Sequence, residues 1–103
     1  MERSYPGTAD QARYVRADLA VICAGFPAAE SLVLLTSELV TNAIVHSRSG
    51  RPGGSFTVRV LLYLGDYAWI EVVDEGGAWA GGKRDDEASR VAWFRLGWRQ
   101  DRP

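Results

Sequence analysis

The fold class predicted for this chain of 103 residues is α/β, a two-layer sandwich with helices packed on one face of a mostly antiparallel sheet. Three observations predict it. Residues 56–64 and 67–74 alternate apolar and polar side chains at period two, with only Gly65-Asp66 between them. That pattern describes a hairpin with one buried side. Ahead of it, two segments carry apolar residues at helical spacing. With 47% hydrophobic residues, the chain can build one core, although little surplus burial is available at this length. A single domain over residues 1–103 is therefore expected.

Each element has a local cause. Ser4-Tyr5 before Pro6 suits a short edge strand. Thr8-Ala-Asp-Gln11 has the spacing of a capping box, so a first helix is expected from near Ala9 to about Ala24, with Gly25 as its stop. Pro27 fits the first turn of a second helix, where its missing N–H is not needed. That helix should run to His46 or Ser47 and bury Leu32, Leu35, Leu39, Ala43 and parts of Val40 and Ile44. Residues 49–54 read as a loop from their glycines and proline. In the first long strand Phe56, Val58, Val60, Leu62 and Leu64 share a face, opposite Thr57, Arg59 and Tyr63. In the second, Ala68, Ile70, Val72 and Asp74 share one. Asp74 is thereby directed toward the helices, into a pocket floored by sheet and walled by the second helix.

Charge and cysteine content narrow the function classes. A net charge of −1, from 12 basic and 13 acidic residues, supplies no global field for nucleic acid or anionic membranes. Cys23, the single cysteine, lies among Val21, Ile22 and Ala24, where a small buried hydrophobe is expected, and no zinc-ligand spacing occurs. Neither a signal-peptide core nor an apolar run of the ~18 residues needed to span a bilayer is present, so the cytoplasm is the expected compartment.

Glu38, Asn42 and His46 recur every fourth residue of the second helix. Successive four-residue steps drift by ~40° and rise ~6 Å, so the three form one polar stripe. Such a stripe is either the solvent face of an amphipathic helix or a coordinating surface. A carboxylate can take a proton, an amide oxygen suits magnesium, and an imidazole can meet phosphate.

Ser37-Glu38-Leu-Val-Thr-Asn42-Ala43 followed by His46-Ser47, together with Val72-Val-Asp74-Glu-Gly76-Gly77, resembles the N-box and first glycine box of the GHKL ATPase superfamily. The likeness is closest to the small bacterial anti-sigma-factor serine kinases, and it runs from about Tyr5 to Gly77. The resemblance implies an ATP-binding regulatory protein with ATP and Mg2+ as cofactors. It implies nucleotide binding by Asn42, His46, Asp74, Gly76 and Gly77. Asp74 would accept from the adenine amino group, Gly76 would let the base approach the backbone, Asn42 would ligate magnesium, and Glu38 would be the catalytic base in γ-phosphoryl transfer. Implied partners are a sigma factor, an antagonist protein carrying the phosphorylated serine or threonine, and a second copy of the chain. No membrane and no nucleic acid is expected.

After Gly77 the resemblance stops. Residues 78–89 pass as a lid by composition, but no Gly-Arg-Gly-Leu type turn follows to open a helix whose N-terminal amides would hold phosphate. Arg95-Leu-Gly97 is no substitute. Two function classes stay open: an ATP-binding kinase-type regulator, and a non-catalytic protein-interaction module that keeps the sandwich without effective nucleotide binding. In the tail, Trp93, Phe94 and Trp98 alternate with Arg90, Arg95, Arg99 and Arg102. The preferred expectation is that these aromatics pack back on a sheet edge or a partner with the arginines snorkelling outward, over a surface for single-stranded nucleic acid.

Overall fold

A computed structural model describes residues 1–26, 28–63, 66–76 and 90–97. The order of elements is β1 (Glu2–Pro6), α1 (Gln11–Ile22), α2 (Ala29–His46), a single 3-10 turn at Arg48–Gly50, β2 (Ser55–Tyr63), β3 (Tyr67–Asp74) and β4 (Arg90–Gly97). The four strands form one antiparallel sheet in the order β1-β2-β3-β4. Helices α1 and α2 pack against each other, and α2 lies across β2, β3 and β4, which makes two layers.

Alternation in the strands decides which face the helices cover. Phe56, Val58 and Val60 of β2 and Ala68, Ile70 and Val72 of β3 are buried, as the period-two pattern requires. The register sets Val60 opposite Ile70 and Val58 opposite Val72, so cross-strand neighbours share the core. Tyr5 of the short edge strand stacks on Phe56 with centroids 5.4 Å apart, and its hydroxyl donates to Asp18 of α1 at 2.7 Å. Burial and the Asp18 carboxylate both push the Tyr5 hydroxyl well above the ordinary tyrosine value. Val15, Leu19 and Cys23 close the core from α1, and burial raises the Cys23 thiol.

Two expectations for the helices need correction. The capping box does not form: α1 starts at Gln11 with Asp10 as its cap residue and no side-chain cap bond. The Thr8 hydroxyl goes instead to the Asp10 carboxylate, and the Gln11 amide closes a turn on the Thr8 carbonyl at 3.0 Å. Helix α2 begins at Ala29, after Ala28 in a left-handed conformation at φ 61°. Its fully buried ridge is Leu32, Thr36, Val40 and Ala43, while Leu35, Leu39 and Ile44 are only partly covered. Thr36 occupies an apolar ridge because its hydroxyl donates to the Leu32 carbonyl, 2.7 Å away, within its own helix. Leu39 stays half-covered because it faces an open cavity beside the sheet.

The tail from Arg90 to Gly97 does pack on the sheet edge, as a full strand along β3. Ala92, Phe94 and Leu96 are partly buried on the helix side, while Val91, Trp93 and Arg95 face outward. Outside, Trp93 stacks on Trp69 with centroids 4.5 Å apart and planes 7° from parallel, and the Arg95 guanidinium lies 4.3 Å from the Tyr67 ring centre. Glu71 on the same face accepts from the Trp69 indole and from Arg59, which hold its carboxyl below the ordinary glutamate range. Pro27, Leu64, Gly65, Trp98, Arg99, Arg102, the 78–89 lid segment and Gly77 lie outside the described residues.

The stretch after α2 is tied closely to one end of the sheet, where β1 and β3 finish and β2 begins. Ser47 and Ser49 are fully buried. The Ser47 hydroxyl donates to the Ala43 carbonyl at 2.6 Å and accepts from the Ser49 amide at 3.0 Å. The Ser49 hydroxyl accepts from the Glu75 amide at 2.9 Å, and the Arg48 amide donates to the Gly76 carbonyl at 2.9 Å. Backbones crowd here: a Cβ at Gly7 would overlap the Ser49 carbonyl, and one at Gly50 would overlap the Ile44 carbonyl.

Candidate functional site

The C-terminal half of α2, the end of β3 and the start of β4 enclose a cavity of about 420 Å³. Leu39, Ala43, Val72, Val91 and Ala92 give it an apolar lining, and its polar groups come from Asn42, His46, Asp74 and Arg90. An apolar cleft with a few convergent polar groups is the usual make-up of a small-molecule site. Alternation along β3 places Asp74 here, one register step beyond Val72 and on the same face. Helical spacing places Asn42 and His46 here, one turn apart on the side of α2 that overlooks β3 and β4.

Asp74 is 7% exposed and its oxygens are well supplied with donors. The Gly76 amide donates to Oδ1 at 2.7 Å, and Gly76 reaches that position with φ 69°, a conformation glycine adopts without strain. From β4, Arg90 grips both oxygens: Nε to Oδ1 at 3.2 Å and an Nη to Oδ2 at 3.2 Å. The same Nη donates to the His46 carbonyl at 3.3 Å, so Arg90 joins the end of β3 to the end of α2. Strand pairing brings the two together, since Arg90 and Asp74 are direct partners in the β3–β4 ladder. The expectation that the tail arginines all point outward is corrected at this residue.

The stripe on α2 is split between two hollows. Glu38 is exposed and lines a shallow cavity of about 340 Å³ with Ser37, Thr41 and Asn42. Asn42 borders both cavities and is the one stripe residue common to them. Thus Asn42, His46, Asp74 and Arg90 meet around one space, Glu38 adjoins it across Asn42, and the Gly76 amide donates to Asp74. Among the described residues the Glu38, Asn42 and His46 side chains make no hydrogen bond. The Ser37 hydroxyl is shielded from water with no hydrogen-bond partner.

Donor chemistry decides what the site can take. No group of three or more His, Cys, Asp or Glu side chains among the described residues could hold a metal by itself. Magnesium makes no such demand, because it is commonly held by one or two protein oxygens plus phosphate and water, and the exposed Asn42 amide meets that requirement. An amine-bearing ring meets more competition at Asp74. A carboxylate offers about four lone-pair positions, and three donors already use them: Gly76 N, Arg90 Nε and Arg90 Nη.

Sequence reasoning missed Arg90, Ser47 and Ser49 as site-building residues. For Arg90 the signal was parity: it shares a strand face with Ala92, Phe94 and Leu96, the side that turns inward. For the two serines, nothing but the three-dimensional return of Glu75 to the α2 terminus identifies them. No helix among the described residues is long and apolar enough to cross a membrane. No protein-family model, no curated protein and no solved structure matches the chain.

Proposed function

We propose that this chain is an adenine-nucleotide-binding regulatory protein of the kind its sequence resembles, with the base seated at Asp74 and the phosphates running past Asn42 toward Glu38. The observation that carries this reading is the meeting of Asn42, His46 and Asp74 around one cavity of about 420 Å³, although the first two are 28 or more residues from the third in sequence. The apolar lining from Leu39, Ala43, Val72 and Ala92 suits a flat heteroaromatic ring. Asn42 borders the second hollow, so a magnesium ion held there would sit within one helical turn of the Glu38 carboxylate. When bound with ATP, that ion would neutralise phosphate charge, and Glu38 would accept the proton of an attacking serine or threonine hydroxyl on a protein substrate such as an anti-sigma-factor antagonist.

A second reading, a protein-interaction module without effective nucleotide binding, is favoured by one specific observation: Arg90 already holds both oxygens of Asp74. Calorimetric titration with ATP, ADP and adenosine, each with and without magnesium, separates the two. The nucleotide reading expects measurable adenosine binding that Asp74→Asn weakens at least about tenfold, and magnesium-dependent gains for ATP that Asn42→Ala abolishes. Absence of binding by all three ligands at millimolar concentration, with the fold intact by circular dichroism, leaves the interaction module.

A further inference from the structure

We infer that Arg90 is a built-in competitor for the base position, so that an adenine-type ligand enters the cavity only as the Arg90 guanidinium leaves Asp74; this rests on the adenine-nucleotide reading. The two contestants seek the same atoms. An exocyclic amine must find a carboxylate oxygen at the cavity wall, and Arg90 donates to both Asp74 oxygens at 3.2 Å while lining that same cavity. The remaining donor, the Gly76 amide, comes from the chain immediately after Asp74 and does not block the cavity.

Arg90 is also built to leave. Its side chain is 51% exposed against 8% for the Asp74 side chain, so the guanidinium can rotate into water while the carboxylate stays fixed at the strand end. A half-exposed ion pair is only modestly favourable and is screened by salt, whereas an uncharged amine donating to the same carboxylate is much less so. Departure of Arg90 also releases the His46 carbonyl, loosening a side-chain tie between β4 and the end of α2. Ligand entry is thereby linked to the seating of β4, the strand that follows the 78–89 segment.

Adenosine is the probe, because it has the amine and the ring but no phosphate to respond to salt. Its affinity is read by NMR titration of the full chain, which extends to millimolar dissociation constants. Arg90→Ala and Arg90→Gln are expected to bind adenosine roughly two- to fivefold more tightly than the wild type, the range of a part-exposed ion pair removed from competition. Wild-type affinity is expected to rise with sodium chloride, and that of Arg90→Gln to stay flat. Equal affinities for the wild type and a folded Arg90→Gln, or a wild-type affinity that does not rise with salt, overturn the competition and leave the nucleotide reading standing. No adenosine binding by either protein overturns both. Should Arg90→Ala not fold, the glutamine variant and the wild-type salt series carry the same decision.

Discussion

Replacing Ser49 by alanine removes the acceptor on which the Glu75 amide closes, and the size of the effect follows from where that amide is. Ser49 is fully buried and its hydroxyl lies 2.9 Å from the Glu75 nitrogen. The Glu75 amide is part-buried, so losing its acceptor costs about the net worth of an ordinary hydrogen bond, roughly 0.5–1.5 kcal/mol. For a domain of this size, where each kcal/mol moves the midpoint by roughly 4–8 °C, a fall of roughly 2–12 °C in Tm is expected. Thermal unfolding followed by circular dichroism measures it, and hydrogen exchange at the Glu75 amide localises it. Because Ser47 accepts from the Ser49 amide, the Ser47→Ala, Ser49→Ala double variant should lose less than the sum of the two single changes. A Tm within about 1 °C of the wild type with unchanged Glu75 protection would refute the reasoning, since the bond would then contribute nothing net.

At Asp74, change to asparagine should weaken adenosine and ADP at least about tenfold, because a charge-assisted hydrogen bond is worth ~1.5–3 kcal/mol; titration calorimetry checks it. Asn42→Ala should remove the magnesium dependence of ATP binding, whereas Glu38→Gln should leave binding intact and abolish transfer of labelled γ-phosphate to a protein acceptor. Ala28→Gly should stabilise the chain by up to about 1 kcal/mol, since Ala28 is held at φ 61°, and a higher denaturation midpoint in urea is the readout. Glu71, held below the ordinary glutamate range first by the Trp69 indole and then by Arg59, contributes stability that is present above the unfolded-state value and lost as pH falls through the folded one. Acid titration of the Trp69 indole N–H resonance should therefore show a transition below the usual glutamate midpoint, and Glu71→Gln should remove it.

What could be read from the chain alone follows from how local each signal is. Period-two alternation gave β2, β3 and the inward direction of Asp74, because strand parity depends only on the strand itself. The second helix and its Glu38, Asn42, His46 stripe were equally local, and the α2 terminus at His46 was met. Its buried ridge was misjudged by one position at Thr36 and Val40, since which side of a helix is deepest depends on where α1 and the cavity lie. The capping box failed at Thr8 because the Gln11 amide, which its hydroxyl would have accepted, closes a turn on the Thr8 carbonyl, while the hydroxyl donates to Asp10. Strand β4 was hidden because both of its faces carry apolar or aromatic residues, Val91 and Trp93 outside and Phe94 and Leu96 inside, which erases the contrast that marks a strand. The contact most consequential for ligand entry, Arg90 on Asp74, arises from strand register between segments 16 residues apart, and no motif encodes it.

The crowded backbones at Gly7 and Gly50 bear on how a saturation scan of this chain would be interpreted. Neither glycine lines the cavity, yet any side chain at Gly7 meets the Ser49 carbonyl and any at Gly50 meets the Ile44 carbonyl. Both would therefore score as intolerant in a selection for ligand binding, alongside Asp74 and Asn42. Paired measurement of cellular abundance sorts them: the glycine variants should vanish from the soluble pool, whereas Asn42→Ala should accumulate normally and fail only in binding. Two classes of intolerant position are thus folded into one linear map, and abundance is the coordinate that separates them.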